Sequence, residues 1–353
     1  MASKYLQLAA ELQAEISNGN YPDKLPTEAA LTQRFGVSRQ TVRQALDCLV
    51  QRGLIKKQQG SGSKVLLQRS LTNSNIAVIV PLLNDYIFPI VLQDIQMVLS
   101  ARNYSTLLFA HYNKVSVERT ILQNLLQQPV AGVIAVGTKT AFPNPNLDLY
   151  EKLALANIPV TFLYTGYKEL KDSVSVTQDN YGGGYFLTRH LISKGHTKIA
   201  GLFMSDLTQG IERYHGYMSA MRDAGLPLPD NSTFWYTSEE RRYLTDFGHT
   251  EMIDHFIDFY MRDCTAVICY NDMIADQVIR VLLKRGRRIP KDVAVVSFDN
   301  SSFSDLCPIH ITSLELDHKH IGKLVANSLL DIIDGRPCNS IAVPWKLIQK
   351  QSC

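Results

Sequence analysis

Residues 26–65, PTEAALTQRFGVSRQTVRQALDCLVQRGLIKKQQGSGSKV, read as a helix, a tight turn, a basic helix and a short glycine-tipped hairpin. Thr27 stands where a hydroxyl caps a first turn, and Glu28 suits the positive end of the helix dipole. Leu31 and Phe35 are four apart and share a face. Gly36 supplies the backbone freedom of a sharp turn, Val37 plugs it, and Ser38 caps the next helix. From about Arg39 to Arg52, Val42, Ala45, Leu46, Leu49 and Val50 recur at helical spacing and predict the buried stripe. Arg39, Gln40, Arg43 and Gln44 fall mostly on the other side. Gly53 stops the helix, Leu54 and Ile55 open a strand, Lys56 and Lys57 add charge, Gly60-Ser61-Gly62 turns the chain, and Val65 and Leu66 return it. Upstream, Tyr5, Leu8, Ala9, Leu12 and Ile16 make the apolar face of a helix from about Lys4 to Asn18, ended by Gly19. The pattern is an α+β winged helix-turn-helix.

Arginine can contact guanine bidentately in the major groove, and glutamine adenine. N-terminal residues of a recognition helix are those that reach base edges. A helical domain that binds protein would show the same apolar stripes, so charge has to separate the readings. Residues 1–68 hold nine basic against five acidic residues, a net +4; the whole chain carries +3, which leaves −1 for the remainder. Positive charge is concentrated where phosphate contact requires it, and double-stranded operator DNA is the expected partner.

Tyr5, Leu25-Pro26-Thr27-Glu28, Val37-Ser38-Arg39, Thr41-Val42-Arg43, Ala45-Leu46, Leu49, Gly53-Leu54-Ile55 and Gly60-Ser61-Gly62 resemble the head of the GntR-type regulators. The resemblance implies DNA contact from Arg39, Gln40, Thr41 and Arg43 and from the wing tip at Gln59 and Gly60; Ser38 and Gln44 complete the candidate set. Many members carry an arginine after the glutamate of the first motif. Here that position is Ala29, so its contact is absent or falls to another residue such as Arg34.

A length of 353 residues suggests two or three domains. The expected boundaries are 1–68 for the head, 69–75 for a linker within the polar, aperiodic stretch Gln68 to Asn75, and 76–353 for the body. The 45% apolar content supports ordinary cores. No long apolar run or leader-like segment is visible, so a soluble cytoplasmic protein without membrane contact is expected. The six cysteines are scattered and read as reduced thiols without a metal site.

In the body, apolar runs at Ile76–Val80, Val130–Val136, Val160–Leu163, Val174–Thr177, Lys198–Phe203, Ala266–Tyr270 and Val293–Phe298 alternate with eight helical patterns, among them 182–194, 211–224, 248–261 and 272–285. Buried strands separated by helices predict parallel sheets covered on both faces, here in two α/β lobes. Ligands bind such sheets at the C-terminal strand ends. Asn84, Asp85, Tyr86 and Phe88 follow the first strand, Gln178-Asp179-Asn180 the fourth, Arg213 the fifth, and Asn271-Asp272 and Asp299-Asn300 the last two. Carboxylates, amides and one arginine can pair several hydroxyl groups, and each buried hydroxyl left unpaired costs about 1–3 kcal/mol. Capping of strand-to-helix turns accounts equally well for any one of them; Asp272 and Asn180 are assigned to capping first.

The body resembles LacI-type effector domains, themselves similar to periplasmic sugar-binding proteins. The motifs are Ile76-Ala77-Val78-Ile79-Val80-Pro81, Val130-Ala131-Gly132-Val133-Ile134, Gly195-His196-Thr197-Lys198-Ile199-Ala200, Glu212-Arg213-Tyr214-His215-Gly216-Tyr217, Asn271-Asp272-Met273 and Ile289 through Asp299. The resemblance implies a two-lobed periplasmic-binding-protein-like type I fold crossed three times by the chain. Lobe one would hold about 76–179 and 301–333, lobe two about 180–300 and 334–353. It implies effector contact from Arg213, Asn271 and Asp299, with Tyr86 and Phe88 lining the same cleft; Asp85, from the same strand end, completes the candidate set. Tyr164 stands where some sugar-responsive members have an acidic residue.

Gly182-Gly183-Gly184 opens a helix after a strand, but lacks both the GxGxxG spacing and a P-loop lysine; close helix packing is the better reading. No acid–base pair, activated nucleophile or HExxH motif is present, and neither an enzyme nor a cofactor is expected. A GntR-type head on a LacI-type body looks most like the arabinose-responsive repressors of Gram-positive bacteria. That resemblance implies a homodimeric repressor released from a pseudo-palindromic operator by a small sugar, L-arabinose. Another pentose, a hexose or a nucleoside is the alternative effector; a transport-type sugar-binding protein and a sugar-modifying enzyme are the rival classes.

Overall fold

The computed structural model describes residues 4–353 except 18–19, 22–23, 52–53, 59–61, 66–73, 172, 229 and 317. It divides into two units, Met1–Asn73 and Ser74–Cys353.

The first unit contains α1 (Lys4–Ser17), α2 (Glu28–Phe35), α3 (Arg39–Gln51) and an antiparallel pair, β1 (Ile55–Gln58) and β2 (Gly62–Val65). Thr27 Oγ1 accepts from Ala30 N at 3.3 Å, and Gly36 closes α2 in the left-handed region at φ +62°. Leu8, Ala9 and Leu12 of α1 pack on Leu31 and on Val42, Ala45, Leu46 and Leu49, with Ile55 and Val65 closing the core from the hairpin. Val50 departs from the expected stripe: it is 38% exposed. It lies about 40° beyond Leu46 around the helix axis, past the margin of the buried face. Asn18, Gly19, Gly53, the wing-tip residues Gln59 and Gly60, and residues 69–73 of the expected linker lie outside the described residues.

The second unit begins with β3 (Asn75–Val80), α4 (Phe88–Ala101), β4 (Ser105–Ala110), α5 (Val115–Leu125), β5 (Gly132–Ala135), α6 (Leu147–Leu155), β6 (Val160–Tyr164) and β7 (Val174–Gln178). It continues through α7 (Asn180–Ser193), β8 (Ile199–Met204), α8 (Thr208–Asp223), β9 (Thr233–Tyr236), α9 (Ser238–Phe247), α10 (Glu251–Phe259), β10 (Ala266–Cys269), α11 (Asp272–Lys284) and β11 (Ala294–Asp299). It closes with α12 (Ser302–Leu306), β12 (Thr312–Glu315), α13 (His318–Ile333), β13 (Ile341–Val343) and β14 (Lys346–Ile348).

These strands form two six-stranded sheets, β13-β7-β6-β5-β3-β4 and β14-β12-β11-β10-β8-β9. Every pairing is parallel except β12 with β14. The period-2 alternation of side chains divides each strand between two cores. Ile76, Val78 and Val80 pack under α4 and α13, whereas Ala77 and Ile79 pack under α5 and α6. In the second sheet Ala200, Leu202 and Met204 face α9–α11, and Ile199 and Phe203 face α7 and α8. Strands buried on both faces are why these segments read as continuous apolar runs.

The lobe boundaries differ from those expected. β12 pairs with β11, Val296 opposite Thr312, so lobe two extends through Glu315 rather than ending at 300. β13 pairs with β7, Ile341 opposite Val176, so lobe one reclaims residues 341–343. Strands of three or four residues carry too little apolar pattern to be read beforehand. β4, β9 and α9 were likewise not anticipated.

The Gly182-Gly183-Gly184 run is a packing device. A Cβ on Gly184 would lie 2.1 Å from Arg213 O, and one on Gly216 2.1 Å from Tyr181 O, so the backbones of α7 and α8 touch there. Among the described residues no helix is long and apolar enough to cross a membrane. Gly184→Ala must push α7 from α8 and should cost about 1–3 kcal/mol, read from urea unfolding. An unchanged midpoint would mean that the two helices separate freely.

Candidate functional site

The exposed face of the first unit is built around the start of α3. Ser38 Oγ accepts from Thr41 N at 3.2 Å and pairs with Thr41 Oγ1 at 2.8 Å, so both residues serve the cap. Arg39, Gln40, Arg43 and Gln44 are all exposed. Arg43 Nε donates to Glu28 Oε2 at 2.9 Å, which ties the basic helix to the first residue of α2. Arg34, considered as a stand-in for the missing arginine at position 29, is committed elsewhere. Its guanidinium grips the Glu15 carboxylate and the Tyr21 hydroxyl. The Tyr21 hydrogen bond and Arg34 hold Glu15 below the ordinary carboxylate value.

In the second unit Asp85, Tyr86, Phe88, Arg213, Asn271 and Asp299 all line one cavity of about 110 Å³ at the facing strand ends. Arg213 forms its floor and is 2% exposed. Nε donates to Asn180 Oδ1 at 3.0 Å, Nη2 to Gln178 Oε1 at 3.1 Å, and Nη1 to the Tyr270 carbonyl. Its guanidinium carbon lies 4.1 Å from the Phe298 ring centroid and 4.7 Å from that of Tyr270. A delocalised cation boxed by aromatic faces keeps favourable electrostatics without water.

Among the polar contacts that join the lobes across the cavity, two come from the loop after β3. Arg241, on α9, donates to Asp85 Oδ2, and the Tyr86 hydroxyl donates to Asp299 Oδ2. Burial opposes the Arg241 charge, yet the Asp85 carboxylate holds its pKa above the ordinary arginine value. Burial and the Asp299 charge raise Tyr86 well above the usual phenol value, so it remains a donor. Asp85 Oδ1 is buried with no hydrogen-bond partner. A buried acceptor in that condition costs about 1–3 kcal/mol, which a ligand hydroxyl would offset. Phe88 lies edge-on to Tyr164 with centroids 6.1 Å apart and belongs mainly to the lobe-one core.

The capping assignments are corrected. Asn271, not Asp272, caps α11, its Oδ1 accepting from Ile274 N at 3.1 Å. Asp179, not Asn180, caps α7 through Gly182 N at 2.9 Å. Asp272 instead accepts from Ser313 Oγ at 2.7 Å, Ser301 N at 2.6 Å, Ser301 Oγ at 3.0 Å and the Ser297 hydroxyl. Sequence reading also missed Arg241 and Tyr270. The signal for Arg241 was present: Thr237 and Glu240 form a capping box that opens α9.

Comparison with known proteins gives matches for both units. Residues 4–65 match the bacterial regulatory proteins of the gntR family, and residues 188–353 a periplasmic binding protein-like domain. The arabinose metabolism transcriptional repressor of Geobacillus stearothermophilus is 31% identical over 96% of this chain and 93% of its own. The protein of the same name from Halalkalibacterium halodurans is 29% identical over 95% and 90%. A periplasmic binding protein/LacI transcriptional regulator from Alkaliphilus metalliredigens, solved with D-xylulofuranose, superposes with a TM-score of 0.67 at 23% identity. It covers 79% of this chain and 98% of its own, a likeness of fold.

Burial and the neighbouring Asp299 push Asp272 up to about 7, against the lowering effect of its serine donors. A carboxyl whose folded value lies above its unfolded one binds protons more tightly when folded. Its contribution to stability is therefore full below about pH 4 and lost as pH rises through about 7. Asp272→Asn should remove this component. Relative to the variant, wild-type thermal stability should fall between pH 4 and 7; a difference that stays constant across that range would contradict the assignment.

Proposed function

The chain belongs to the GntR-headed transcriptional repressors that carry a periplasmic-binding-protein-like domain, and from that premise we propose that it is a cytoplasmic, sugar-controlled repressor whose effector is L-arabinose. Its relatives are transcriptional repressors, so it is a regulator and not an enzyme. The observation that carries the sugar reading is the buried, unpartnered Asp85 Oδ1 in a cavity already rich in amide, carboxylate and aromatic groups. The enclosed volume suits one small polyol and lies well below the roughly 300–1,000 Å³ of sites for drug-sized ligands. Arabinose is supported by the names of two relatives matched over nearly their full lengths.

In this reading Arg39, Gln40, Thr41, Arg43 and Gln44, with Ser38 fixing their helix and Gln59 and Gly60 at the wing, contact operator DNA. Asp85, Tyr86, Phe88, Arg213, Asn271 and Asp299 contact the sugar. A homodimer places two heads on a two-fold site. The sugar lowers operator affinity by binding the released form more tightly than the DNA-bound form, since only differential affinity shifts the balance.

Gel shifts with the upstream region of a neighbouring operon, with and without pentoses and hexoses, test the reading. L-arabinose should release the duplex without being consumed. Release by a different sugar would replace the effector, and turnover of the sugar would overturn the class. Arg43→Ala should weaken operator binding at least tenfold while leaving the calorimetric sugar titration unchanged; parallel loss of both would sink the division of roles.

A further inference from the structure

A polar seam joins the lobes beside the cavity. Asn113, between β4 and α5, divides its carboxamide between the two. Oδ1 accepts from Lys139 N of lobe one at 2.9 Å. Nδ2 donates to Asp206 Oδ2 at 3.1 Å and Ser238 Oγ at 2.6 Å of lobe two. Next to it Thr208 N donates to Thr140 Oγ1 at 3.1 Å, and Thr208 Oγ1 to Thr140 O at 2.8 Å. Ala141 N reaches Asp206 O at 3.4 Å. Asp206 is buried, and Ser238 N and Oγ also donate to it, at 3.1 and 2.6 Å. Both of its carboxylate oxygens therefore accept from protein donors.

The lobe-one side of the seam is held in strain. Tyr112, Asn113 and Lys139 sit at φ +55°, +52° and +45°, none of them a glycine. Such conformations are costly for these residues and persist where surrounding contacts over-determine them. Here Tyr112 N is held by Pro81 O at 2.9 Å, Asn113 N by His111 Nδ1 at 3.0 Å and Lys139 N by Asn113 Oδ1 at 2.9 Å, all within lobe one, so the Asn113 carboxamide is presented to lobe two from a fixed backbone. Asn113 and Ser238 also line the cavity, whereas Thr140, Asp206 and Thr208 do not.

We propose that this seam is a closure latch: it favours the closed body without any sugar, and so sets how much sugar the cleft requires. Apparent affinity for a ligand that binds the closed form scales with the fraction already closed. Loss of a hydrogen bond between Thr140 and Thr208 should thus weaken sugar binding about fivefold without replacing a residue that lines the cavity. Only this affinity readout rests on the sugar assignment.

The test is Thr140→Val/Thr208→Val in the full chain, which removes the Thr140 and Thr208 hydroxyls at constant shape and leaves that of Ser238. Small-angle scattering without sugar should show the variant wider than the wild type. Calorimetry with L-arabinose should show an apparent Kd raised at least fivefold. Identical scattering profiles, or equal Kd values, would refute the latch. If the wild type itself binds no L-arabinose, the effector assignment fails and scattering alone decides the latch. Should the double variant fail to fold, Thr208→Val alone is read in the same way.

Discussion

The body is organised around one buried guanidinium. Arg213 takes an acceptor from the end of β7 in the first sheet, one from the end of β10 in the second, and one from the start of α7. Leaving any of these acceptors unpaired in a dry site would cost about 1–3 kcal/mol, so α8, which carries the arginine, has to sit where all three are reached. That position brings α8 onto α7 at backbone contact, which glycines at 184 and 216 permit. Phe298 and Trp345 then close over the cation. The floor of the cavity is therefore fixed by tightly packed regular elements, while its upper contacts, Asp85 with Arg241 and Tyr86 with Asp299, come from one loop and the opposite lobe.

How much of this was legible follows from the range of the interactions. The α3 stripe and the buried strands are local patterns of period 3.6 and 2, and they could be read directly. Val50 failed because a stripe has an edge that periodicity alone does not locate. β12, β13 and β14 failed because three or four residues such as Thr312-Ser313-Leu314-Glu315 form strands only through partners distant in sequence. The exchanged roles of Asn271 and Asp272 have the same origin. Both residue types suit a cap, and the serines that claim Asp272 lie 25 to 41 positions away. Arg241 sits in a helix with little apolar pattern, so only its capping box announced it.

Charges of both signs line the cavity: Asp85 and Asp299 with Arg213, Arg241 and Arg242. Arg241 stands against Asp85, and Arg213 is spread over neutral oxygens and rings. A site that mixes carboxylates, amides and guanidinium groups in this way can meet hydroxyls both as donors and as acceptors. This agrees with an effector distinguished by the stereochemistry of its hydroxyl groups, each of which must find its own acceptor or donor.

If Arg43 contacts operator DNA as proposed, its ion pair with Glu28 bears on how the head searches a genome. A guanidinium already neutralised by its neighbour draws less on the general negative field of the duplex than a free one would. Any acceptor it meets there has to outcompete a carboxylate at 2.9 Å. Random stretches that offer only backbone phosphate give little reason to make that exchange, whereas a base edge accepting two hydrogen bonds at once does. In that proposed role, selectivity is set partly by what the protein must give up.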